Sequence, residues 1–388
     1  MMQINNSFQK NANISMVAQL LWKQPGISRV EIARQLDLYR STVSNIINSL
    51  IEHGVVFEEK EGDATPLGGR KPISLILNDK FGCVIGVEIQ PPGYHAVIIN
   101  VFGSVLHSAS GPLPDGPFDK MTTTIIDGLL PEVTSLSLPL LGICVGMPGI
   151  IDSGEGNIVR SDPFQLKHHE FASRFSSKYG VPVLVENDAN CLAWMELANN
   201  RGDNLASFVC LNAEYHLKES RFGERSGMGV GLGLAIGGTV YSGSKNAAGE
   251  FVSVSWRNDG TGQTGLPAEV MNSIESDDTA FEQWVVDLFT SFVSVVSVLD
   301  PAVVFFHGEL ARHSAKVLEI TARRVPQFEA LVKRSSCSVV FGDGSEYSVA
   351  TGAALMFFQY LFSVPGTSTG QIGRSIDWDT VFELTGPV

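Results

Sequence analysis

The chain has 388 residues, 44% of them hydrophobic, enough for two or three domains with large cores. Its net charge of −14 is uneven: residues 1–80 hold nine Lys/Arg and eight Asp/Glu, the remainder eighteen and thirty-three, so only the N-terminal segment suits a phosphate backbone. The five cysteines (Cys83, Cys144, Cys191, Cys210, Cys337) show no metal or redox spacing and read as buried thiols of a reducing cytoplasm, and no signal peptide or membrane span is expected.

Residues 32–50 (IARQLDLYRSTVSNIINSL) carry helix-turn-helix spacing. Ile32 and Leu36 give a first helix its buried stripe, Ala33 sits where two helices cross, and Val43, Ile46 and Leu50 give the second helix the same i, i+3, i+7 pattern. This leaves Arg40, Ser41, Thr42, Ser44, Asn45 and Asn48 polar and outward near the N-terminal end of the second helix. Such side chains hydrogen-bond base edges or phosphates in a major groove. The same spacing also fits a helical hairpin packed on a larger enzyme.

After the second helix, His53-Gly54-Val55-Val56 predicts a helix stop and the first strand of a hairpin that passes Phe57 and resumes at residues 73–77 (ISLIL). Between the two lies Gly68-Gly69-Arg70-Lys71-Pro72, an arm presenting Arg70 and Lys71 to a narrow minor groove. A winged helix-turn-helix over residues 1–80 is the expected first domain.

From Phe81 onward, strand and helix signals alternate. A buried strand at residues 83–89, a turn at Pro91-Pro92-Gly93 and strands at 96–101 and 104–106 form a meander. The pattern recurs at 208–211, 230–236 and 239–241. Two such openings, each followed by helices, predict an α/β body of two lobes around a cleft, with ligands at strand ends. The most apolar helical stretch, residues 284–299, is broken by Asp287 and serines and reads as a core helix.

Three later segments make the resemblance specific. Residues 141–152 (LGICVGMPGIID) are similar to a GxGVPGxVD segment, residues 185–190 (VENDAN) to an ENDAN motif, and residues 242–250 (SGSKNAAGE) to GANGxAGE. In this order, behind a helix-turn-helix and a GGRKP arm, they resemble the ROK family of repressors, open reading frames and sugar kinases, in its repressor branch, over nearly the whole chain. The resemblance implies a sugar-kinase/actin-like, ribonuclease H-like fold at 81–388, with a small lobe at about 81–185 plus the C-terminal end and a large lobe at about 186–340. It places Gly149, Asn187, Asp188 and Glu250 at a sugar. Carboxylates suit that task because each accepts two hydroxyl donors, and Asn187 offers a donor and an acceptor together. In the family's kinases the aspartate matching Asp188 is the general base. Asn187 and Asp188 equally suit the cap of a helix beginning near Ala189.

Departures from the pattern are as informative. Where family kinases read DxGGT, this chain reads Glu88-Ile89-Gln90-Pro91-Pro92, and two prolines remove N–H donors from the phosphate cradle. His307 and Glu309 stand where the adenosine end is usually glycine-rich. Ser253 replaces the zinc-binding histidine, and no cysteine occurs between Cys210 and Cys337, so a structural zinc has no ligand set. No metal and no cofactor are expected, and Glu269 is the nearest substitute for a lost sugar contact. Residues 212–226 (NAEYHLKESRFGERS) have no family counterpart and read as a solvated loop or as a lid whose cations suit an anionic sugar.

The resulting expectation is a cytoplasmic, sugar-responsive transcriptional repressor. Its partners are a double-stranded DNA operator and a sugar or sugar phosphate; it works as a homodimer or dimer of dimers, away from membranes. The alternatives are an ATP-dependent sugar kinase with a DNA-binding head, and a scaffold that sugar does not gate.

Overall fold

The computed structural model describes residues 6–59, 73–203, 205–216, 227–257, 262–364 and 376–387. It opens with a helix the sequence reading passed over, α1 (Asn6–Lys23), which buries Ile14, Val17, Ala18 and Leu21 at helical spacing. Next comes α2 (Arg29–Gln35), started by a reciprocal capping box between Ser28 and Glu31. Asp37, in the left-handed region at φ +52°, turns the chain into α3 (Arg40–Glu52). Val43, Ile46, Ile47 and Leu50 face inward, and Gly54 at φ +68° ends the run. The wing pairs β1 (Val56–Glu59) with β2 (Ser74–Leu77), Val56 opposite Leu77.

A first lobe follows. The meander β3 (Cys83–Gln90), β4 (Gly93–Ile99) and β5 (Val105–Pro112) leads into α4 (Phe118–Leu136) and then β6 (Leu140–Met147), parallel to β3. A side sheet of β7 (Ile150–Asp152), β8 (Asn157–Ser161) and β9 (Leu166–Glu170) precedes α5 (Ala172–Tyr179), β10 (Val183–Asn187) and α6 (Asp188–Asn199). Strand order in the main sheet is β10-β6-β3-β4-β5.

The second lobe repeats that order. Its sheet runs β13-β12-β11-β14-β15. The first three strands are β11 (Phe208–His216), β12 (Gly227–Ile236) and β13 (Thr239–Val240). Helices α7 (Ala268–Ser273) and α8 (Asp278–Leu299) come next, then β14 (Val303–Gly308), α9 (Glu309–Arg312), α10 (Ser314–Arg324), α11 (Pro326–Ser335) and β15 (Ser338–Phe341). In both sheets the two pairings of the opening meander are antiparallel and the two with the later strands parallel, the ribonuclease H-like topology. The 22-residue α8 is long and apolar enough to cross a membrane, yet Trp284, Val285, Leu288, Phe289, Phe292 and Val296 pack into this lobe beside Phe306 and Phe328.

The chain closes with α12 (Ser348–Phe362) and α13 (Trp378–Thr385). Helices α6 and α12 cross between the two sheets, and glycines make the approach possible. A Cβ on Gly352 would overlap the carbonyl oxygen of Cys191 in α6. One on Gly86 would overlap that of Ala350 in α12, and one on Gly233 that of Ala189.

No apolar gap divides the N-terminal head from the first lobe. Ser15 Oγ donates to Leu361 O at 3.0 Å, Trp22 Nε1 to Val101 O at 2.9 Å, and Trp378 Nε1 to Ser15 Oγ at 3.1 Å. The Phe362 ring lies 5.1 Å from that of Trp22 and 6.0 Å from that of Trp378, and His53 stacks on Phe382 at 4.1 Å.

Residues 212–216 of this stretch are strand, not loop: Asn212 to His216 continue β11 and pair with β12 through His216↔Gly227. Cross-strand pairing with the glycine-rich β12, invisible in the hydrophilic composition, explains the difference. Residues 217–226 lie outside the described residues.

Candidate functional site

Two constellations emerge, one on the head and one between the lobes. On the head, Arg40 opens α3, and Arg40, Ser41, Asn45 and Asn48 are exposed while Thr42 and Ser44 are half-buried. Arg29 ties this face together: its guanidinium donates to Asn48 Oδ1 at 2.8 Å, Ser44 O at 3.3 Å and Glu58 Oε1 at 2.9 Å. It fastens α2 to α3 and to the wing, and it occupies the carbonyl side of Asn48, leaving the amide hydrogens to face outward. The sequence reading missed Tyr39, which is 85% exposed on extended backbone immediately before α3. Its signal was an aromatic residue where a small polar cap is usual. Arg70 and Lys71 of the expected arm lie outside the described residues.

Between the lobes, β10 delivers Asn187 and α6 begins with Asp188. Asn187 Oδ1 accepts from the N–H groups of Ala189 (2.9 Å) and Asn190 (3.2 Å), and its Nδ2 donates to Gly149 O at 3.0 Å. The cap reading of Asn187 therefore holds, and one amide hydrogen remains for a ligand. Gly149, at φ +136°, sits so close to Arg160 O that a side chain has no room, and its part is to seat Asn187. Beneath them Glu186 is buried and accepts from Asn187 N, Asn190 Nδ2 and Trp194 Nε1, a support for the motif.

Asp188 is the titratable centre. Burial pushes its carboxyl up to about 7; the Ala189 N–H opposes this, and the nearby carboxylates Glu88 and Glu250 add to it. The fold thus brings Asp188 and Glu250, 62 positions apart in sequence, within electrostatic reach of each other and of Glu88. Glu250 stands at the open rim, its backbone bridged to Gly231.

The loop after Glu250 is held by neutral groups. Gln263 donates through Nε2 to Val230 O (2.7 Å) and Phe251 O (2.9 Å) and accepts from Val230 N (2.7 Å). Ser253 Oγ and Ser255 Oγ share a 2.8 Å bond, and Thr264 donates to Asp287. This amide clasp occupies the place where the family pattern has a metal-tied loop. Glu269 is exposed on α7.

Deeper along the same cleft, at the C-terminal ends of β3, β11 and β14, lies a cavity of about 460 Å³. Pro91 and Pro92 close one wall in a tight turn, Gln90 paired with Gly93. Three carboxylates, Glu88, Glu214 and Glu346, share the rest of the lining with polar and aromatic residues. His95, cross-strand from Glu88, approaches its Oε2 at 3.2 Å and that of Glu346 at 3.7 Å. The Glu88 hydrogen bond raises the imidazole pKa; burial opposes it. Arg312 pairs with both Glu214 and Glu309. Burial pushes Glu214 up to about 7, with Arg312 pulling down and Glu88 and Glu309 pushing up. His307, 4% exposed, makes no hydrogen bond at Nε2 among the described residues, and Glu196 Oε1 lies 3.4 Å from it.

Comparison with known proteins bears on both constellations. Residues 85–260 match the model of the ROK family, and residues 19–56 match that of a winged helix-turn-helix DNA-binding domain. The xylose repressor of Staphylococcus xylosus is 29% identical over 249 residues, which is 64% of this chain and 61% of that protein. Matches to the first curated relatives thus span about three fifths of their length. A ROK family transcriptional regulator, a homologue of the Escherichia coli MLC protein, superposes with a TM-score of 0.70 at 15% identity, over 97% of this chain and all of that one. A ROK family glucokinase from Streptomyces griseus, solved with glucose and AMPPNP, superposes at 0.55 with 18% identity over 71% of this chain and 99% of its own.

Proposed function

We propose that this chain, which carries a ROK family domain behind a winged helix-turn-helix, is a sugar-responsive transcriptional repressor. The observation that carries the reading is the path of α12. It starts on the cleft wall at Ser348 and Val349, packs along α6, whose first residue is Asp188, and ends where Leu361 O accepts from Ser15 of the head. A ligand that changes how the lobes close changes the setting of α12, and with it the placement of α3.

In this reading Arg40, Ser41, Thr42, Ser44, Asn45 and Asn48 meet the operator, with Arg70 and Lys71 in the adjoining groove. Asp188, Glu250 and the free hydrogen of Asn187 meet the sugar, a free sugar or a sugar phosphate. A near-neutral head gives modest affinity per subunit, so two heads on a two-fold site are needed, and the working form is a homodimer in the cytoplasm. The ligand acts by differential affinity for the DNA-competent and incompetent arrangements.

The kinase fold of the body supports a second reading, ATP-dependent phosphorylation. Against it stand the proline-closed turn and the three lining carboxylates Glu88, Glu214 and Glu346, which disfavour polyphosphate in the place it would occupy.

The test is release of the full chain from its operator against a panel of sugars and sugar phosphates, with ADP formation followed in parallel. One sugar that releases DNA without ADP formation supports the repressor. Turnover of ATP with a sugar overturns it in favour of the kinase, and DNA binding that no sugar alters leaves an ungated scaffold.

A further inference from the structure

Helix α6 joins the Asp188 end of the cleft to the helix-turn-helix head. We infer that Arg201, just past the C-terminal end of α6, is a positioning residue: it clasps the last turn of α1 to α6 and passes movements of the lobes to the head.

The helix starts with Asp188 and runs 12 residues, about 18 Å. Both lobes hold it. In the first lobe, Gly146 of β6 approaches Cys191 Sγ so closely that a Cβ would overlap it. In the second, Gly233 of β12 packs against Ala189 O in the same way, and His307 Nε2 of β14 lies 3.4 Å from Glu196 Oε1. A shift of one lobe against the other therefore acts on α6 along its length.

At the far end, the last carbonyl groups of a helix have no intrahelical partner. Arg201 Nη1 donates to Ala198 O of α6 at 2.9 Å, and its Nε donates to Trp22 O in the last turn of α1 at 3.3 Å. One guanidinium thus bridges two helix C-termini, whose partial negative charge favours a cation. It also lies over the Trp22 ring, 5.0 Å from the centroid. Asn200 sets the approach, because its backbone N–H and its Nδ2 both donate to Glu196 O, at 3.0 and 2.8 Å. Among the described residues Arg201 meets two main-chain carbonyls and an aromatic face rather than a carboxylate, the pattern of a clasp and not of surface charge balance.

Trp22 is where the head is fastened. Val101 O and the Phe362 ring hold its buried side chain, and Arg201 holds its carbonyl. Helix α1 shares one core with α3, through Val17 and Leu21 with Val43, Ile47 and Leu50, so turning α1 turns α3.

The inference rests on the repressor reading for what the movement does, and the experiment separates the two. The full chain is compared with Arg201→Met, Arg201→Lys and a control, Lys23→Met, that removes an equal charge from the end of α1. Operator affinity is measured by mobility shift with and without saturating xylose, glucose or glucose 6-phosphate, sugar binding by calorimetry, and backbone hydrogen exchange without ligand. Where one of these sugars frees the wild-type chain, Arg201→Met should bind that sugar within twofold of wild type. Its ratio of operator affinities without and with sugar should fall about tenfold, with Arg201→Lys intermediate and Lys23→Met unchanged. An unchanged ratio in Arg201→Met, or an equal fall in Lys23→Met, overturns the inference. Where none frees the wild-type chain, the failure is that of the repressor reading for these sugars, and exchange decides on Arg201. Faster exchange of α1 to α3 in Arg201→Met, with α8 and β14 unaltered, supports the clasp, and unaltered exchange throughout overturns it.

Discussion

The two ends of one cleft have been treated differently. At the α6 end, Asn187 caps the helix, Gly149 and Glu186 seat it, and the charge of Glu250 reaches Asp188. At the β3–β4 end the glycines are gone, two prolines close the turn, and Glu88, His95, Glu214, Arg312 and Glu346 stand around a cavity. The scaffold beneath is the same at both ends, since the two sheets share one strand order. A fold with duplicated topology can thus carry different side chains at the two ends of one cleft, because each end hangs on its own loops.

The contrast can be broken most severely at the helix crossing that supports both ends. Gly352→Ala forces α12 away from Cys191 O, and a loss of about 3 kcal/mol or more is expected, read as a lowered midpoint in denaturant unfolding. Asp188→Asn touches only the α6 end. It should cost about 2 kcal/mol of sugar affinity by calorimetry while operator affinity in a mobility-shift titration stays within twofold. An equal loss of both would show that the ends are not separable.

Gln263→Ala removes three hydrogen bonds from the clasp behind Glu250 and should destabilise by about 1–2 kcal/mol in thermal melts, with sugar affinity falling alongside. The smallest effect is on pH. Asp188 has its folded pKa raised to about 7, far above an unfolded aspartate, so its contribution to stability is present at low pH and is lost as pH rises through 7. Glu214 acts in the same direction. The ligand-free midpoint should therefore fall between about pH 4 and 7 and level off above that, less steeply in Asp188→Asn. Sugar affinity should move oppositely, rising up to about tenfold between about pH 6 and 8 as the carboxylate ionises.

Periodicity located the helix-turn-helix, the wing strands and both meanders because each is a local pattern. The candidate ligand residues were legible for another reason: the VENDAN and AAGE stretches match a family pattern, and Asn187 stands at a strand-to-helix junction. What composition hid was long-range. Nothing near His95 in sequence says that Glu346 will face it, or that Glu214, inside a hydrophilic insertion, will lie on a strand against a cavity. Helix α1 was missed although Ile14, Val17, Ala18 and Leu21 carry a stripe, because attention fell on the stronger pattern after it. Trp378 owes its burial to packing against Ser15, 363 positions earlier.

That last contact makes the head an inseparable part of the body's thermodynamics. Trp22, Phe362 and Trp378 form one aromatic seam, and the apolar residues of α1 to β2 belong to the same continuous core as α12 and β3. The second lobe, around Phe289, Phe306 and Phe328, has a further core of its own, while its Phe208, Cys210 and Phe305 join the shared one. Calorimetric melting should accordingly show no division at residue 80, where the sequence changes character: the helix-turn-helix head melts with the first lobe as one cooperative unit.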